Sequence, residues 1–330
     1  MKNGNTATSS YFLVAPGVWG IKDIFVNFYM IQNEETNKWV LVDAGLKTSY
    51  SRIKKLATSL FRERKPEAIV LTHGHFDHVG SLKRLVEEWS IPVYAHYLEL
   101  PYLTGKSHYP PPDPTVGGGL MAYMSFMYPN DPIDIGSQIN SLPEDGSVPG
   151  LKGWRYIHTS GHTPGHISLF RDKDKLLIAG DAFVTIKSES ALAVMFQTKK
   201  ISRPPAYFTT DWESANKSVK QLLALSPEIA ATGHGQPMSG EGMREGLRHL
   251  CEHFIEEMPS QGRYIQEAAI ADANGLLYVP PREESNNKIW LIAAGAALIT
   301  ALTLSIILKN KKKKSFVGFL MRKKKNTNQH

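Results

Sequence analysis

The chain has 330 residues, enough for one large domain or two smaller ones, and its single cysteine excludes disulfide bonds within the chain. Its net charge is +7, but nine cations lie in residues 309–330, and removing these nine leaves −2 for the rest. This slightly acidic body argues against a nucleic-acid substrate, whose phosphates favour a basic protein surface.

The first predicted strand with a polar residue at its end covers residues 39–42, an apolar run that Asp43 follows. A second short apolar run, residues 68–72, also predicts a buried strand. Residues 79–89 then show helical periodicity, with apolar residues recurring on one face. Strand and helix signals alternate without an internal repeat, which indicates one α/β domain.

Three histidines and one aspartate occupy six positions between the second strand and its helix: His73, His75, Asp77 and His78. A turn at the carboxyl end of a strand is where open α/β folds place ligand sites. Imidazole and carboxylate groups suit zinc, manganese or iron, and the absence of thiolates argues against a purely structural zinc site. The segment therefore predicts part of a catalytic metal centre.

Three later segments repeat this design. His162 precedes the predicted strand 167–170, Asp181 ends the apolar run 176–180, and His234 lies between two glycines after residues 228–232. Glycine on either side of a ligand lets the backbone bend sharply. These segments predict the remaining ligands of the same centre.

The order HxHxDH, then His, then Gly-Asp, then Gly-His resembles the metallo-β-lactamase-fold hydrolase superfamily over residues 11–255. The resemblance implies a four-layer αββα sandwich with metals in a cleft at one edge, whereas the residues alone support only an α/β class. It implies a first metal held by His73, His75 and His162. It implies a second held by Asp77, His78 and His234, with Asp181 bridging the two. Asp43 would support these ligands rather than bind metal.

Two zinc ions per chain are the expected cofactors, with iron or manganese as other possibilities. Metals this close share a water and lower its pKa toward about 7, so that a bridging hydroxide becomes available. Asp77 would also orient that hydroxide. We expect hydrolysis of an ester, thioester or lactone of a small, partly apolar molecule, similar to glyoxalase II and lactonase members. Lactonases carry a tyrosine shortly after the bridging aspartate, whereas Ala182, Phe183 and Val184 follow here.

Other functions on the same fold stay open. An iron-dependent persulfide dioxygenase would use two histidines and one aspartate on a single metal. A β-lactamase and a non-catalytic membrane-bound binding module are weaker alternatives, the last because no ligand position is missing. Metal content would separate the first alternative from the hydrolase.

The remaining histidines and the cysteine are predicted to have no metal role. His166 should be a hydrogen-bonded structural residue, and His158 has a similarly weak claim. His249 and His253 are predicted to lie on a solvated helix face within residues 243–258, and Cys251 to be a small buried residue of that helix.

Two long segments, residues 97–150 and 191–207, are rich in apolar and turn-forming residues. Loops of this length in a compact domain are usually functional or disordered. We expect them to form an apolar wall or lid over the metals; the alternative is that they pack on the core or touch a bilayer.

The C-terminal part predicts a membrane anchor. After a catalytic domain at 1–275 and a linker at 276–288, residues 289–308 carry no charge and could span a hydrocarbon core of about 30 Å. The basic tail, residues 309–330, would contact anionic lipid. The positive-inside rule places the basic tail in the cytoplasm, which would put the catalytic domain outside. The missing signal peptide instead favours a single-pass protein whose catalytic domain faces the cytoplasm. The oligomeric state is not indicated.

Overall fold

The computed structural model describes residues 11–282, which form a mixed α/β unit with two main sheets. The first sheet contains the first seven strands in chain order, antiparallel from β1 to β4 and parallel from β4 to β7. Its strands are β1 (Tyr11–Ala15), β2 (Val18–Asp23), β3 (Val26–Gln32), β4 (Trp39–Val42), β5 (Ala68–Val70), β6 (Val93–Ala95) and β7 (Ile139–Ser141).

The second sheet has five strands in the order β12-β11-β10-β9-β8, with only β10 and β11 parallel. Its strands are β8 (Trp154–His158), β9 (Ile167–Arg171), β10 (Leu176–Ile178), β11 (Ile229–Ala231) and β12 (Met238–Ser239). A separate hairpin joins β13 (Ile270–Asp272) to β14 (Gly275–Tyr278), so the folded unit continues past residue 275, the predicted end of the catalytic domain.

Eight α-helices lie within the described residues: α1 (Tyr50–Phe61), α2 (Phe76–Val79), α3 (Leu82–Trp89), α4 (Leu100–Leu103), α5 (Leu120–Tyr123), α6 (Ala191–Phe196), α7 (Trp212–Ala224) and α8 (Glu241–Glu252). The longest ones are amphipathic. Helix α3, for example, buries Leu82, Leu85, Val86 and Trp89 on one face.

Three apolar clusters show how the layers stack. On β4, Leu41 packs with α1 and α3, whereas its neighbour Val42 packs against the second sheet. On β10, Ile178 faces the first sheet, whereas Leu177 packs with α7 and α8. Since alternate strand residues point to opposite faces, each sheet contacts the other sheet on one side and helices on the other. This gives the layer order helix, sheet, sheet, helix.

The predicted site segments all follow strands that end at one edge. Strands β4 and β5 are parallel, and β8 and β10 run in the same direction because both pair antiparallel with β9. Strand β11 is parallel to β10. The two sheets are joined at this edge by a hydrogen bond from the Ile167 amide to the Thr72 carbonyl, 2.9 Å.

One local prediction is wrong in detail. Asp77 and His78 lie on the single-turn helix α2 rather than in an irregular turn, because the amides of His78 and Val79 both bond to the His75 carbonyl. This turn places Asp77 and His78 on a rigid element directly before α3.

Within residues 11–282, no helix has both the length and the apolar character needed to cross a bilayer. The predicted anchor at 289–308 and the basic tail at 309–330 lie outside the described residues, as does the linker from residue 283 onward.

Candidate metal centre

Three histidines from two loops form the first potential metal-binding group. His73, His75 and His162 are buried, and their potential ligand atoms lie within 4.8 Å of one another. His75 Nδ1 lies 3.0 Å from His162 Nε2. The first sheet supplies His73 and His75 after β5, and the second supplies His162 between β8 and β9.

A second group combines Asp77, His78 and His234, again buried and within 4.8 Å. His234 Nε2 lies 3.6 Å from Asp77 Oδ2. Asp77 and His78 come from α2, and His234 follows β11. The structure therefore brings together the residues that the sequence assigned to each metal.

Asp181 lies between the two groups. Its Oδ2 atom is 3.5 Å from Nε2 of His162, 3.7 Å from Nε2 of His78 and 3.0 Å from Nε2 of His234. It also forms a third potential metal-binding group with His73 and His78. One carboxylate oxygen thus faces imidazoles from both sets of ligands.

The unpaired atoms of this centre fit divalent metal ions. Among the described residues, Nε2 of His73, Nε2 of His78 and Oδ1 of Asp181 are buried without a hydrogen-bond partner. Burying such atoms unpaired costs about 1–3 kcal/mol each, so buried polar groups normally have partners. Imidazole and carboxylate donors clustered in this way match the ligand set of zinc and iron sites.

The first group is electrostatically suited to accept a cation. Burial and the neighbouring histidines lower the pKa values of His73 and His75 well below the ordinary range. Burial also lowers the pKa of His162 to about 3, although Asp181 opposes that shift. Neutral imidazoles have a free lone pair, which metal ligation requires.

The second group lies in a strongly negative environment. Burial lowers the pKa of His78, but Asp43, Asp181 and Asp77 outweigh burial and raise that pKa to about 10. Burial likewise disfavours the charged form of Asp181, yet His234 and His78 hold the pKa of Asp181 well below its usual value. These carboxylates favour positive charge at this position.

Asp43 supports the second group from behind. It is 2% exposed, and its Oδ2 atom accepts a hydrogen bond from His78 Nδ1 at 2.8 Å. It also accepts from the Thr72 amide and hydroxyl, both at 2.8 Å. This contact leaves His78 Nε2 facing the centre. Asp43 thus occupies the supporting position that the resemblance implied for it.

Two residues at the edge of the centre hold ligand segments in place. His166 Nε2 accepts a hydrogen bond from the Asp181 amide at 2.8 Å, and its Nδ1 atom contacts Thr159 Oγ1. Asn27 on β3 donates to the carbonyls of Thr232 and Gly235, on either side of His234. The role of Asn27 was missed from the sequence, although a lone amide within an apolar strand is a usable signal.

Glu99 and Tyr109 were also missed. Glu99 is fully buried just before α4 and accepts hydrogen bonds from both ligand-bearing loops of the three-histidine group. Burial raises the pKa of Glu99, and its hydrogen bonds oppose that shift. A single acidic residue in the apolar sequence Tyr-Leu-Glu-Leu was the available signal.

Aromatic side chains form one wall of the centre. Phe208 stacks on the His75 ring with a centroid distance of 4.4 Å, and Tyr128 lies 5.7 Å from Phe76. Burial, and the nearby Asp77 carboxylate, raise the pKa of Tyr128 to about 12. Tyr128 belongs to residues 97–150, so that segment forms part of the wall, whereas Phe208 lies one residue beyond the segment 191–207.

The other candidate residues lie outside the three groups found within residues 11–282. His158 Nε2 donates a hydrogen bond to the Pro164 carbonyl at 2.8 Å, and the His158 ring stacks on that of His96. His249 is exposed on α8, and His253 caps that helix. Cys251 is partly buried against the cluster beneath α7 and α8, where it packs as an apolar side chain.

Comparison with known proteins agrees with this geometry. The model of the metallo-beta-lactamase superfamily matches residues 21–234. A probable metallo-hydrolase of Bacillus subtilis (strain 168), YflN, is 47% identical over 245 residues, which cover 74% of this chain and 93% of YflN. The hydroxyacylglutathione hydrolase GloC of Haemophilus influenzae is 26% identical over 63% of this chain and 85% of GloC.

A solved structure shows the same fold. A beta-lactamase domain protein from Burkholderia ambifaria aligns with a TM-score of 0.53 at 19% identity, covering 77% of this chain and 80% of that protein. The family model covers more than half of the chain, and YflN is matched over nearly its whole length. The chain therefore belongs to the metallo-beta-lactamase superfamily.

Proposed function

We propose that this protein is a dinuclear metal-dependent hydrolase of esters, thioesters or lactones, with zinc as its metal. The observation that carries this proposal is the position of Asp181, whose Oδ2 atom lies 3.0 to 3.7 Å from histidines of both groups. A carboxylate in this position is suited to bridge two cations. The two groups together offer the ligands that a dinuclear hydrolase requires.

The ligand roles follow from the three groups. His73, His75 and His162 would hold one metal, and Asp77, His78 and His234 the other. Two divalent cations bound there would lower the pKa of a shared water and polarise a substrate carbonyl. Asp77, at 3.6 Å from His234 Nε2, would orient the attacking water, while Asp43 keeps His78 in its ligating tautomer.

The relatives support a hydrolytic reaction on an acyl compound. YflN is named a probable metallo-hydrolase, and the name of GloC specifies hydrolysis of a hydroxyacylglutathione. The aromatic wall of Phe76, Tyr128 and Phe208 would suit an apolar portion of the substrate.

A one-iron persulfide dioxygenase is the second candidate. It requires two histidines and one aspartate, and His73, His78 and Asp181 also form such a set. The second group of Asp77, His78 and His234 offers a place for a second metal, which the hydrolase would use and the dioxygenase would leave unused. One iron per chain and oxygen uptake with a persulfide would support the dioxygenase instead.

A substrate screen tests the proposed reaction. Zinc-loaded protein and its Asp181→Ala variant would be assayed on thioesters, carboxylic esters, lactones, phosphodiesters and β-lactams. We expect activity on one of the first three classes, and loss of that activity in the variant. Equal activity of the two proteins would refute the site assignment.

Exposed apolar residues on the segment that carries Tyr128 predict a role in substrate binding. Leu120, Phe126 and Met127 are 44%, 58% and 52% exposed, on the segment that carries Tyr128. Replacing all three with glutamine should raise KM for substrates with long apolar groups by about tenfold, since burying one CH₂ contributes about 0.8 kcal/mol. We expect kcat and metal content to stay unchanged.

The control for this variant replaces three similarly exposed apolar residues on other segments, Leu13, Ile255 and Leu277, which are 64%, 62% and 61% exposed. These changes should leave KM unaltered. Loss of metal from the Leu120, Phe126 and Met127 variant, or an equal KM increase in the control, would contradict a substrate-binding role.

We also propose that residues 289–308 anchor the protein in a membrane, with the catalytic unit on the cytoplasmic side. The absence of charge over these 20 residues supports the anchor, and the nine cations in the tail support its contact with anionic lipid. Protease treatment of intact cells should leave the catalytic unit uncut; cleavage before cell lysis would place it outside.

A further inference from the structure

Glu99 connects the two loops that carry the three-histidine group. Its Oε2 atom accepts a hydrogen bond from the Gly74 amide at 2.9 Å, and Gly74 lies between His73 and His75. Its Oε1 atom accepts from the Gly165 amide at 2.8 Å and from the Thr163 hydroxyl at 2.7 Å, in the loop after His162. One side chain thus binds the ligand loop of the first sheet and that of the second.

Each oxygen of the Glu99 carboxylate accepts a hydrogen bond from a backbone amide, a group that cannot accept one itself. The Gly74 and Gly165 amides can only donate, so both Glu99 oxygens must act as acceptors. The Tyr109 hydroxyl also donates to Oε2. Since Glu99 is fully buried, water cannot replace a lost acceptor at low cost.

The glycine at position 165 shows that the loop is built around this carboxylate. A Cβ atom on Gly165 would lie 2.7 Å from Glu99 Cγ and 2.9 Å from Oε1, closer than Cβ contacts occur. Only glycine lets the backbone approach the carboxylate this closely.

We propose that Glu99 is a positioning residue that sets the metal affinity of the three-histidine group, an inference that rests on the ligand assignment under the proposed function. By fixing Gly74 and Gly165, it holds His73, His75 and His162 at their mutual distances before a metal binds. Asp43 acts on the other group through His78 and reaches the three-histidine group only through Thr72, whose hydroxyl lies 3.1 Å from His73 Nδ1.

The test replaces Glu99 with glutamine, which has nearly the same shape. In either orientation the new amide group faces a backbone N–H, that of Gly74 or that of Gly165. The His234→Ala variant removes a ligand of the other group, so that Zn²⁺ titrations of the full chain report on the three-histidine group. Within this background, Glu99→Gln should weaken Zn²⁺ binding by about 10- to 100-fold in competition with a chromophoric chelator.

The matched control is Glu189→Gln in the same background. Glu189 is also buried, at 2% exposed, and accepts a hydrogen bond from the Ala206 amide at 3.1 Å, but it contacts neither ligand loop. This variant should bind Zn²⁺ as the parent does, even if its melting temperature falls.

The outcomes separate this inference from the proposed function. An unmutated chain that binds fewer than two metals refutes the ligand assignment. If the unmutated chain binds two metals, but Glu99→Gln and Glu189→Gln have equal Zn²⁺ affinity in the His234→Ala background, the role of Glu99 is overturned. If Glu99→Gln does not fold, Thr163→Val decides, because it removes one donor to Glu99 and leaves both amides paired. A loss of Zn²⁺ affinity in Thr163→Val, smaller than the loss expected for Glu99→Gln, supports the role of Glu99. Unchanged Zn²⁺ affinity in Thr163→Val overturns it.

Discussion

Replacing Asp181 with asparagine is expected to abolish most of the hydrolytic activity and to lower the metal content of the protein. The asparagine keeps the shape of the side chain, and the amide at position 181 still donates to His166. The negative charge shared among His78, His162 and His234 is lost, however. We expect kcat/KM to fall at least about 100-fold, which corresponds to about 2.7 kcal/mol of transition-state stabilisation.

The measurements for Asp181→Asn are kcat/KM on the substrate found by screening, metal content by elemental analysis, and melting temperature. Asp113→Asn is the control, since Asp113 is also 2% exposed and accepts hydrogen bonds from the amides of Thr115 and Arg263. It should keep its metals and its activity. An Asp181→Asn protein with full activity and full metal content would contradict the bridging role.

The second large effect is expected for Asp43→Asn. Asp43 has a positive φ of 61°, which asparagine tolerates better than most residues, so the backbone should not be strained further. The amide group would remove the charge behind His78 and place an N–H donor against the donors of Thr72 or His78. We expect metal affinity at the group of Asp77, His78 and His234 to fall about 10- to 100-fold.

Metal titration of Asp43→Asn should therefore show a larger loss of affinity at the group of Asp77, His78 and His234 than at the three-histidine group, which Asp43 reaches only through Thr72. Hydrolytic activity should recover in part when excess Zn²⁺ is added, because the ligands themselves remain. If both sites keep the affinity of the parent chain, Asp43 has only a packing role. If both weaken equally, Asp43 supports both metal positions to the same extent, and its contact with His78 has no special role.

Much of the fold could be predicted because the strands that carry the site are short, apolar and followed by polar residues. The apolar runs around Val42, Val70, Ile178 and Ala231 all form strands, and each is followed by a segment of the centre. Strand β4 spans its whole apolar run, whereas β5, β10 and β11 are shorter than theirs, since hydrogen bonding within the sheet ends before the hydrophobic pattern does. The single turn of α2 was not predicted, because four residues are too few to show helical periodicity.

Only the candidate metal ligands of the site could be predicted, because clusters of histidine and aspartate are unusual in a sequence. Histidines and aspartates at strand ends identified the residues that meet at the centre. Glu99 and Asn27 could not be assigned in the same way, because their roles depend on hydrogen bonds to residues far away in the chain. Glu99 bonds to Gly165, 66 positions away, and Asn27 bonds to Gly235, 208 positions away. Such contacts follow from the packing of the two sheets, which local sequence patterns do not specify.

The loops illustrate the same difference. Residues 97–150 were predicted as an apolar wall or lid, and Tyr128 does lie beside Phe76 at the centre. The same segment also contributes Glu99 and Tyr109, which hold the ligand loops rather than cover them. Deleting residues 110–128 would therefore disturb the core as well as the wall, because Val116 and Ala122 are buried in the cluster of the second sheet.

The most direct test of the dinuclear hydrolase is the metal content of the purified chain, measured by elemental analysis together with hydrolysis of a thioester or lactone. The proposal predicts about two zinc ions per chain, with activity that falls when a chelator removes them and returns when zinc is restored. A chain that binds a single iron and consumes oxygen with a persulfide, or that hydrolyses its substrate equally well without metal, would contradict it.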